Sequence, residues 1–126
     1  MSTSDNEFES WLAAEFAGRG AFTALIVLVR IEEARVTPLC SSYVNVIGDE
    51  VAWNDMVVML AGAGQPWDGA AFFPRQDGRG RPLDNPAARI DLRILETRLD
   101  ADRLVLNEGN FFDRWGRRMR IDEVAP

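Results

Sequence analysis

The sequence predicts an α+β fold, a single two-layer domain in which two to three helices pack on a mixed sheet of four to five strands. The length of 126 residues is typical of one domain, and no internal repeat or second domain is evident. Hydrophobic residues make up 47% of the chain and charged residues 27%, as in globular proteins. Stretches with helical periodicity alternate with runs rich in β-branched residues, which indicates both element types.

The first predicted helix lies close to the N-terminus. Ser4 is expected to cap it, because Glu7 follows three residues later in the pattern of a capping box. A single apolar stripe at the helical period comprises Phe8, Trp11, Leu12 and Phe16. Gly18 and Gly20 are expected to end the helix.

Two strands are predicted next. Residues 21–31 form an apolar run without polar alternation, which is typical of a central strand covered on both faces. Residues 32–35 are expected to turn, and Pro38 indicates an edge or irregular position. Residues 43–47 are predicted to form the second strand.

The second predicted helix has Asp49 as a candidate cap and ends in a stretch rich in glycine and proline, at Gly62, Gly64 and Pro66. One face comprises Trp53, Met56, Val57 and Leu60. Val58 and Met59 widen this face until little polar surface remains. We therefore expect the helix either to be deeply buried or to contact a partner.

Residues 70–73 are predicted to form a short buried strand after this helix. The order strand, helix, strand makes residues 43–73 a candidate βαβ unit, which would be parallel and right-handed. Residues 74–86 follow as an exposed loop, either with a turn at Asp77–Gly78 or as a mobile segment.

Residues 86–99 carry two conflicting patterns. Ile90, Leu92 and Ile94 alternate with charged residues, as in a strand. A helical stripe comprises Ala88, Leu92, Leu95 and Leu99. Pro86 also suits the first turn of a helix capped by Asn85 or Asp84, so helix is favoured.

The end of the chain predicts strands at residues 103–106 and 110–121, the latter as a C-terminal β-hairpin. Its turn would be Asp113–Gly116, with Gly116 in the left-handed conformation. Residues 114–120 contain four arginines, which neighbouring acids match one for one: Glu108, Asp113, Asp122 and Glu123. A hairpin with a charged outer face is therefore favoured over a nucleic-acid site, which needs uncompensated cations.

Composition restricts the chemistry open to this chain. It contains no histidine and no lysine, which excludes imidazole and amine catalysis and histidine metal ligands. Cys40 is the only cysteine, so no disulfide can form within the chain. The N-terminal residues do not match a signal peptide, and the longest apolar run, Ala21–Val29, is short for a membrane span. These features predict a cytoplasmic protein without a membrane segment.

No specific motif in the sequence predicts a catalytic residue, a metal ligand or a cofactor. Cys40 could act as a nucleophile only with a carboxylate base, so a small buried apolar role is favoured. Four acids near the second helix could bind a divalent cation, although they match no known loop: Asp49, Glu50, Asp55 and Asp68.

The favoured hypothesis is a non-catalytic, bacterial, cytoplasmic protein-interaction module, acting as an adaptor, regulator or inhibitor of another protein. Tryptophan and methionine are enriched at interface centres, and the predicted partner-binding residues are Trp53, Met56, Met59, Trp67 and Phe72. Ten acidic residues and three arginines give residues 1–73 a net charge of −7, which would suit a basic partner, whereas the rest of the chain is close to neutral. A homodimer is a further possibility, whereas nucleic acid and membrane are disfavoured as partners.

The alternative hypothesis is a binder of an anionic ligand or nucleic acid. Its arginines would be Arg75, Arg79, Arg81, Arg117, Arg118 and Arg120, provided that the fold brings the two groups together. A third hypothesis, disfavoured against both, is a carboxylate- or metal-dependent enzyme built on Asp49, Asp55 and Asp68.

Overall fold

Three helices and four strands form the fold. A computed structural model describes residues 6–33, 35–48 and 51–121. The helices are α1 (Glu7–Arg19), α2 (Trp53–Ala61) and α3 (Asn85–Ala101), with a short 3₁₀ helix at Arg103–Glu108. The strands are β1 (Phe22–Glu32), β2 (Arg35–Val46), β3 (Gly69–Arg75) and β4 (Asn110–Asp113). The predicted α+β class and the predicted numbers of helices and strands are confirmed.

The four strands form one sheet in the order β2-β1-β3-β4, and every neighbouring pair is antiparallel. The prediction of a mixed sheet was therefore wrong. Because β2 and β3 both run against β1, they are parallel to each other, as the βαβ interpretation of residues 43–73 required. They do not pair, however, since β1 is apolar on both faces and takes the central position between them.

Helices cover both faces of the sheet, so the domain has three layers instead of the predicted two. One face of β1 carries Phe22, Ala24, Ile26 and Leu28, which pack in the same apolar cluster as α1 and α2. The opposite face carries Leu25, Val27 and Val29, which cluster with α3 and the 3₁₀ helix. The alternation of side chains along a strand thus divides one apolar run between two cores.

The first two helices begin later than predicted. Asn6 caps α1, since its Oδ1 accepts the backbone N–H of Glu9 at 3.1 Å. The predicted cap Ser4 lies outside the described residues, and so does Asp49, the candidate cap of α2. Ala52 precedes α2 and provides no side-chain cap, so the carboxylate of Glu9 accepts the N–H of Trp53 instead, at 2.7 Å.

Residues 85–101 form a helix, as favoured above. Asp84 caps it by accepting the N–H of Ala87 at 2.9 Å. The helical stripe wins over the strand pattern because it buries Ala88, Leu95 and Leu99, while Ile90 and Ile94 stay exposed.

The loop between β3 and α3 contains an ordered turn at Asp77–Gly78. The N–H of Gly80 donates to the carbonyl of Asp77 at 3.1 Å, and the carboxylate of Asp77 accepts the N–H groups of Arg79 and Arg81. The turn alternative for this loop is therefore the one observed.

The end of the chain differs from the prediction at two points. Of the strand predicted over residues 110–121, only Asn110–Asp113 forms one, and a single bridge joins Arg118 to Phe112 after the turn. Residues 103–106 form the 3₁₀ helix instead of a strand, because Asp102 accepts the N–H of Leu104 and starts a helical turn there. The predicted hairpin turn is present, with Gly116 at φ +78°. After it, the N–H of Met119 donates to the carbonyl of Phe111 at 2.7 Å.

Candidate protein-binding edge

Four of the five residues predicted to bind a partner are part of the core. Trp53, Met56, Trp67 and Phe72 are each at most 6% exposed. The reason is that α2 packs this face onto the sheet, where the ring of Trp53 lies 4.8 Å from that of Phe8. The indole N–H of Trp53 is also satisfied, donating to the carbonyl of Arg114 at 2.8 Å. The prediction that these four form an exposed surface was wrong.

The neighbouring apolar residues of α2 are exposed instead. Met59, the fifth predicted residue, is 45% exposed, and Val58 beside it is 74% exposed. The widened apolar face of α2 is thus only partly used by the core. Of the two exposed residues, Met59 lines the groove beside β2.

The two groups of arginines are not brought together. Arg75 ends β3, while Arg118 pairs with Phe112, opposite Ala70 near the start of β3. Five residues of extended chain separate these positions along β3, a distance of roughly 17 Å. Arg117 is also ion-paired with Asp113 at 2.8 Å. The condition for the anion-binding hypothesis, a joint arginine surface, is not met.

The open side of β2 is the most distinctive feature of the surface. Among the described strands, β2 pairs with β1 alone and forms one edge of the sheet. The carbonyl of Val29 accepts the N–H of Asp68, and the N–H of Ile31 donates to the Asp68 carboxylate. The backbone N–H and C=O groups of these two odd-numbered residues of β1 therefore point towards β3. Because backbone groups alternate in direction along a strand, those of the even-numbered residues of β1 point towards β2.

The register then gives the direction of each backbone group in β2. Cys40 pairs with Leu28 and Ser42 with Ile26, so the N–H and C=O groups of these residues bond to β1. Ser41, Tyr43 and Asn45 alternate with them and point their backbone groups outward. Three residues thus present three N–H and three C=O groups along one open edge.

The other half of β2 is protected against strand pairing. Leu28 pairs with Cys40 but Val29 with Pro38, which leaves Leu39 as the extra residue of a β-bulge. The ring nitrogen of Pro38 points outward and has no hydrogen to donate. Further along, the guanidinium of Arg103 donates to the outward carbonyl of Val36 at 3.3 Å. The open part of the edge is therefore residues 41–45, a segment we call the open edge.

An apolar groove lies beside the open edge on the side of α2. It has a volume of about 450 Å³ and runs between β2 and the C-terminal half of the helix. Its lining includes Cys40, Val44, Met59 and Ala63, and it contains no charged side chain. Burial raises the pKa of the Cys40 thiol, in keeping with this apolar surrounding.

A polar groove lies on the opposite side of the open edge, towards α3. It has a volume of about 330 Å³, and its charged side chains are Arg89, Arg93 and Glu96. The hydroxyl of Ser41 hydrogen-bonds to the carboxylate of Glu96, and that of Tyr43 to the side chain of Asn85. These bonds hold α3 over β2 and fix the shape of the groove.

The candidate metal and catalytic residues do not assemble into a site. Within the described residues, no group of three or more Cys, Asp or Glu side chains is placed to hold a metal ion. Asp49 and Glu50 lie outside those residues. Asp68 accepts the N–H of Ile31 at 2.8 Å and so joins β1 to the start of β3.

The open edge was not predicted from the sequence, although an edge or irregular position was expected at Pro38, which does lie in this edge strand. A second signal is that residues 36–46 of β2 carry no charge, which is uncommon because edges are usually blocked by charged side chains. In the described part of the chain, no helix is both long enough and apolar enough to cross a membrane.

Comparison of the chain with protein-family models, with curated proteins and with solved structures found no match.

Proposed function

We propose that this protein is a non-catalytic interaction module that binds an extended segment of another protein along the open edge of β2. The observation that supports this most directly is the row of outward backbone groups at Ser41, Tyr43 and Asn45, flanked by a groove on each side. Adding a strand to an exposed sheet edge is a recurrent mode of peptide recognition, with affinity from main-chain hydrogen bonds and specificity from flanking pockets.

The exposed apolar side chains of α2 support the same surface. An added strand would place alternate side chains on the α2 side, where Met59 and Val44 line the groove. Burying Met59 there would remove exposed apolar area from water, at about 25 cal/mol per Å². The proposal thus gives a role to Met59, which the core leaves partly uncovered.

The composition supports a role without catalysis. Without histidine and lysine, the chain has few groups suited to acid–base or nucleophilic chemistry near neutral pH. The thiol of Cys40 has a raised pKa and is a poor nucleophile. A single cysteine also suits the reducing bacterial cytoplasm, where we propose that the protein acts.

Proline at position 41 provides a direct test. Ser41→Pro removes one outward N–H and places a ring against any added strand, while Pro38 shows that β2 tolerates proline at an outward position. Short random peptides displayed on phage would be selected on the wild-type protein, and the selected peptides titrated by fluorescence anisotropy. We expect Ser41→Pro to weaken their binding by about tenfold or more.

Ser41→Ala is the matched control, because it removes the same hydroxyl but keeps the backbone N–H. It should bind the peptides within about threefold of the wild type. Amide hydrogen exchange should slow at Ser41, Tyr43 and Asn45 when peptide binds. Selected peptides that bind Ser41→Pro as tightly as wild type, or a selection that enriches none, would contradict the proposal. A dimer of the pure protein that Ser41→Pro dissociates would support the edge as the interaction site, with a second copy as partner.

A further inference from the structure

We infer that the segment bound at the open edge alternates apolar and acidic side chains, with the apolar ones facing α2 and the acidic ones facing Arg89 and Arg93. This inference rests on the proposed strand addition. It concerns the chemistry of the partner, which the open backbone groups alone do not determine.

The two grooves differ in chemistry, and an added strand would reach both. Successive side chains of a strand point to opposite faces of a sheet, so every second residue of the segment would enter each groove. The groove on the α2 side has apolar walls without a charged side chain. The groove on the α3 side has two guanidinium groups and one carboxylate. A segment that suits both must alternate.

The arginines of the polar groove are available for a ligand. Neither Arg89 nor Arg93 is within ion-pair distance of a carboxylate in the described part of the chain. Arg89 makes only a long contact, 3.4 Å, from Nε to the side-chain oxygen of Asn85. The carboxylate of Glu96 is already bonded to Ser41. The groove therefore presents two cations that a carboxylate could bind in bidentate geometry.

The acidic character of the whole chain does not oppose this arrangement. The net charge is −6, but charges separated by more than about 8 Å are largely screened at physiological salt. The near charges decide, and in the polar groove beside Tyr43 these are Arg89, Arg93 and Glu96, so the groove is net positive. Towards Pro38, the next cavity is lined by Glu96 and Asp100, so acidic residues of the partner are expected only near Tyr43 and Asn45.

Three synthetic peptides test the inference. Each alternates valine with a second residue type, which is glutamate, lysine or threonine, and binding to the full chain is measured by fluorescence anisotropy at low and at high salt. We expect the glutamate peptide to bind about tenfold more tightly than the lysine peptide at low salt, and the difference to shrink at high salt. The double variant R89Q/R93Q should remove the difference and leave the threonine peptide unchanged.

The matched control is R98Q/R117Q, which changes net charge equally at two arginines that lie outside the polar groove and are each ion-paired. It should retain most of the preference for glutamate. If the lysine peptide binds as tightly as the glutamate peptide while Ser41→Pro weakens both, the inferred chemistry is wrong and the strand addition stands. If none of the three peptides binds, both the inference and the proposed function fail.

Discussion

The carboxylate of Glu9 in α1 accepts the first backbone N–H of α2, that of Trp53, at 2.7 Å. The two helices are far apart in sequence, and α2 has no side-chain cap of its own, since Ala52 occupies the capping position. A negative charge at this point also interacts favourably with the positive end of the helix dipole. One side chain thus fixes the start of α2, and with it the helix that forms a wall of the apolar groove.

Removing this interhelical cap should destabilise the fold. We expect Glu9→Ala to lower the free energy of unfolding by about 1 kcal/mol, because the N–H of Trp53 loses its acceptor, and Glu9→Gln to lower it less. Urea denaturation measures the difference. Glu15→Ala is the control in the same helix, since it removes only a partly exposed ion pair with Arg19 and should change stability by less than about 0.5 kcal/mol. Equal losses in both variants would contradict the capping role.

Thr23 is the polar side chain that the core buries most completely. It is 0% exposed; its hydroxyl donates to the Asn45 side chain and accepts the N–H of Leu83, each at 2.8 Å. We expect Thr23→Val to cost about 1–3 kcal/mol, because the N–H of Leu83 becomes a buried donor without a partner. Thr23→Ser keeps the hydroxyl and should cost less. Denaturation and hydrogen exchange at Leu83 report the effect, and an unchanged exchange rate in Thr23→Val would argue against it.

The local patterns of this sequence predicted most of its elements, although β2 begins at Arg35 and not at residue 43 as predicted. The stripe of α1, the apolar run of β1 and the cap at Asp84 each depend on neighbouring residues, and each is observed. The position of a strand in the sheet depends instead on distant pairing. Because β3 pairs with β1 on the side opposite β2, β2 is left as an edge. Within residues 35–46, Pro38 indicated an edge position, but it did not show which residues of the strand stay open.

The site was harder to predict because cores and interfaces use the same residue types. Tryptophan is common in cores and in interfaces. Only the tertiary fold shows that the rings of Trp53 and Trp67 pack edge to face inside the core, with their centroids 6.2 Å apart. Met59 lies three residues beyond Met56 in the same helix, yet one is exposed and the other buried. Composition could indicate an interaction surface, but it could not place it.

Two glycines should respond to alanine in opposite directions. A Cβ on Gly109 would lie 2.7 Å from the ring of Phe73, in a packed core, so we expect Gly109→Ala to cost about 1–3 kcal/mol. A Cβ on Gly18, within α1, would meet no atom within 4 Å. Gly18→Ala should therefore stabilise the protein by about 0.5–1 kcal/mol through helix propensity. Thermal unfolding compares the two: a raised midpoint in Gly109→Ala would contradict the packing at Gly109, and a lowered midpoint in Gly18→Ala would contradict the open space at Gly18.

The turn at Asp77 should titrate at unusually low pH. Backbone N–H groups of Arg81 and Arg79, together with the charges of these arginines, lower the pKa of the Asp77 carboxyl from its ordinary value of 3.8. Because the folded pKa lies below the unfolded one, the stability that this carboxylate contributes is present above pH 3.8 and lost as pH falls through the folded pKa. In an NMR titration, the amide shifts of Arg79 and Arg81 should move with a midpoint below 3.8. Asp77→Asn should abolish that titration, and a midpoint at or above the ordinary value would contradict the assigned bonds.

The thiol of Cys40 can report on the apolar groove, because Cys40 is one of the residues that line it. Burial raises the pKa of its thiol above the ordinary value of 9.0, so the thiolate fraction near neutral pH is lower than in a free cysteine. We expect alkylation by iodoacetamide to be slower than in the urea-unfolded chain, and its rate to keep rising beyond pH 9.0. Because Cys40 lines the groove, a peptide bound at the open edge should slow alkylation further, and in Ser41→Pro about tenfold more peptide should be needed for the same effect. An alkylation rate that levels off below pH 9.0 would contradict the buried environment of the thiol. If saturating peptide does not change the alkylation rate of the wild-type protein, the peptide binds away from α2.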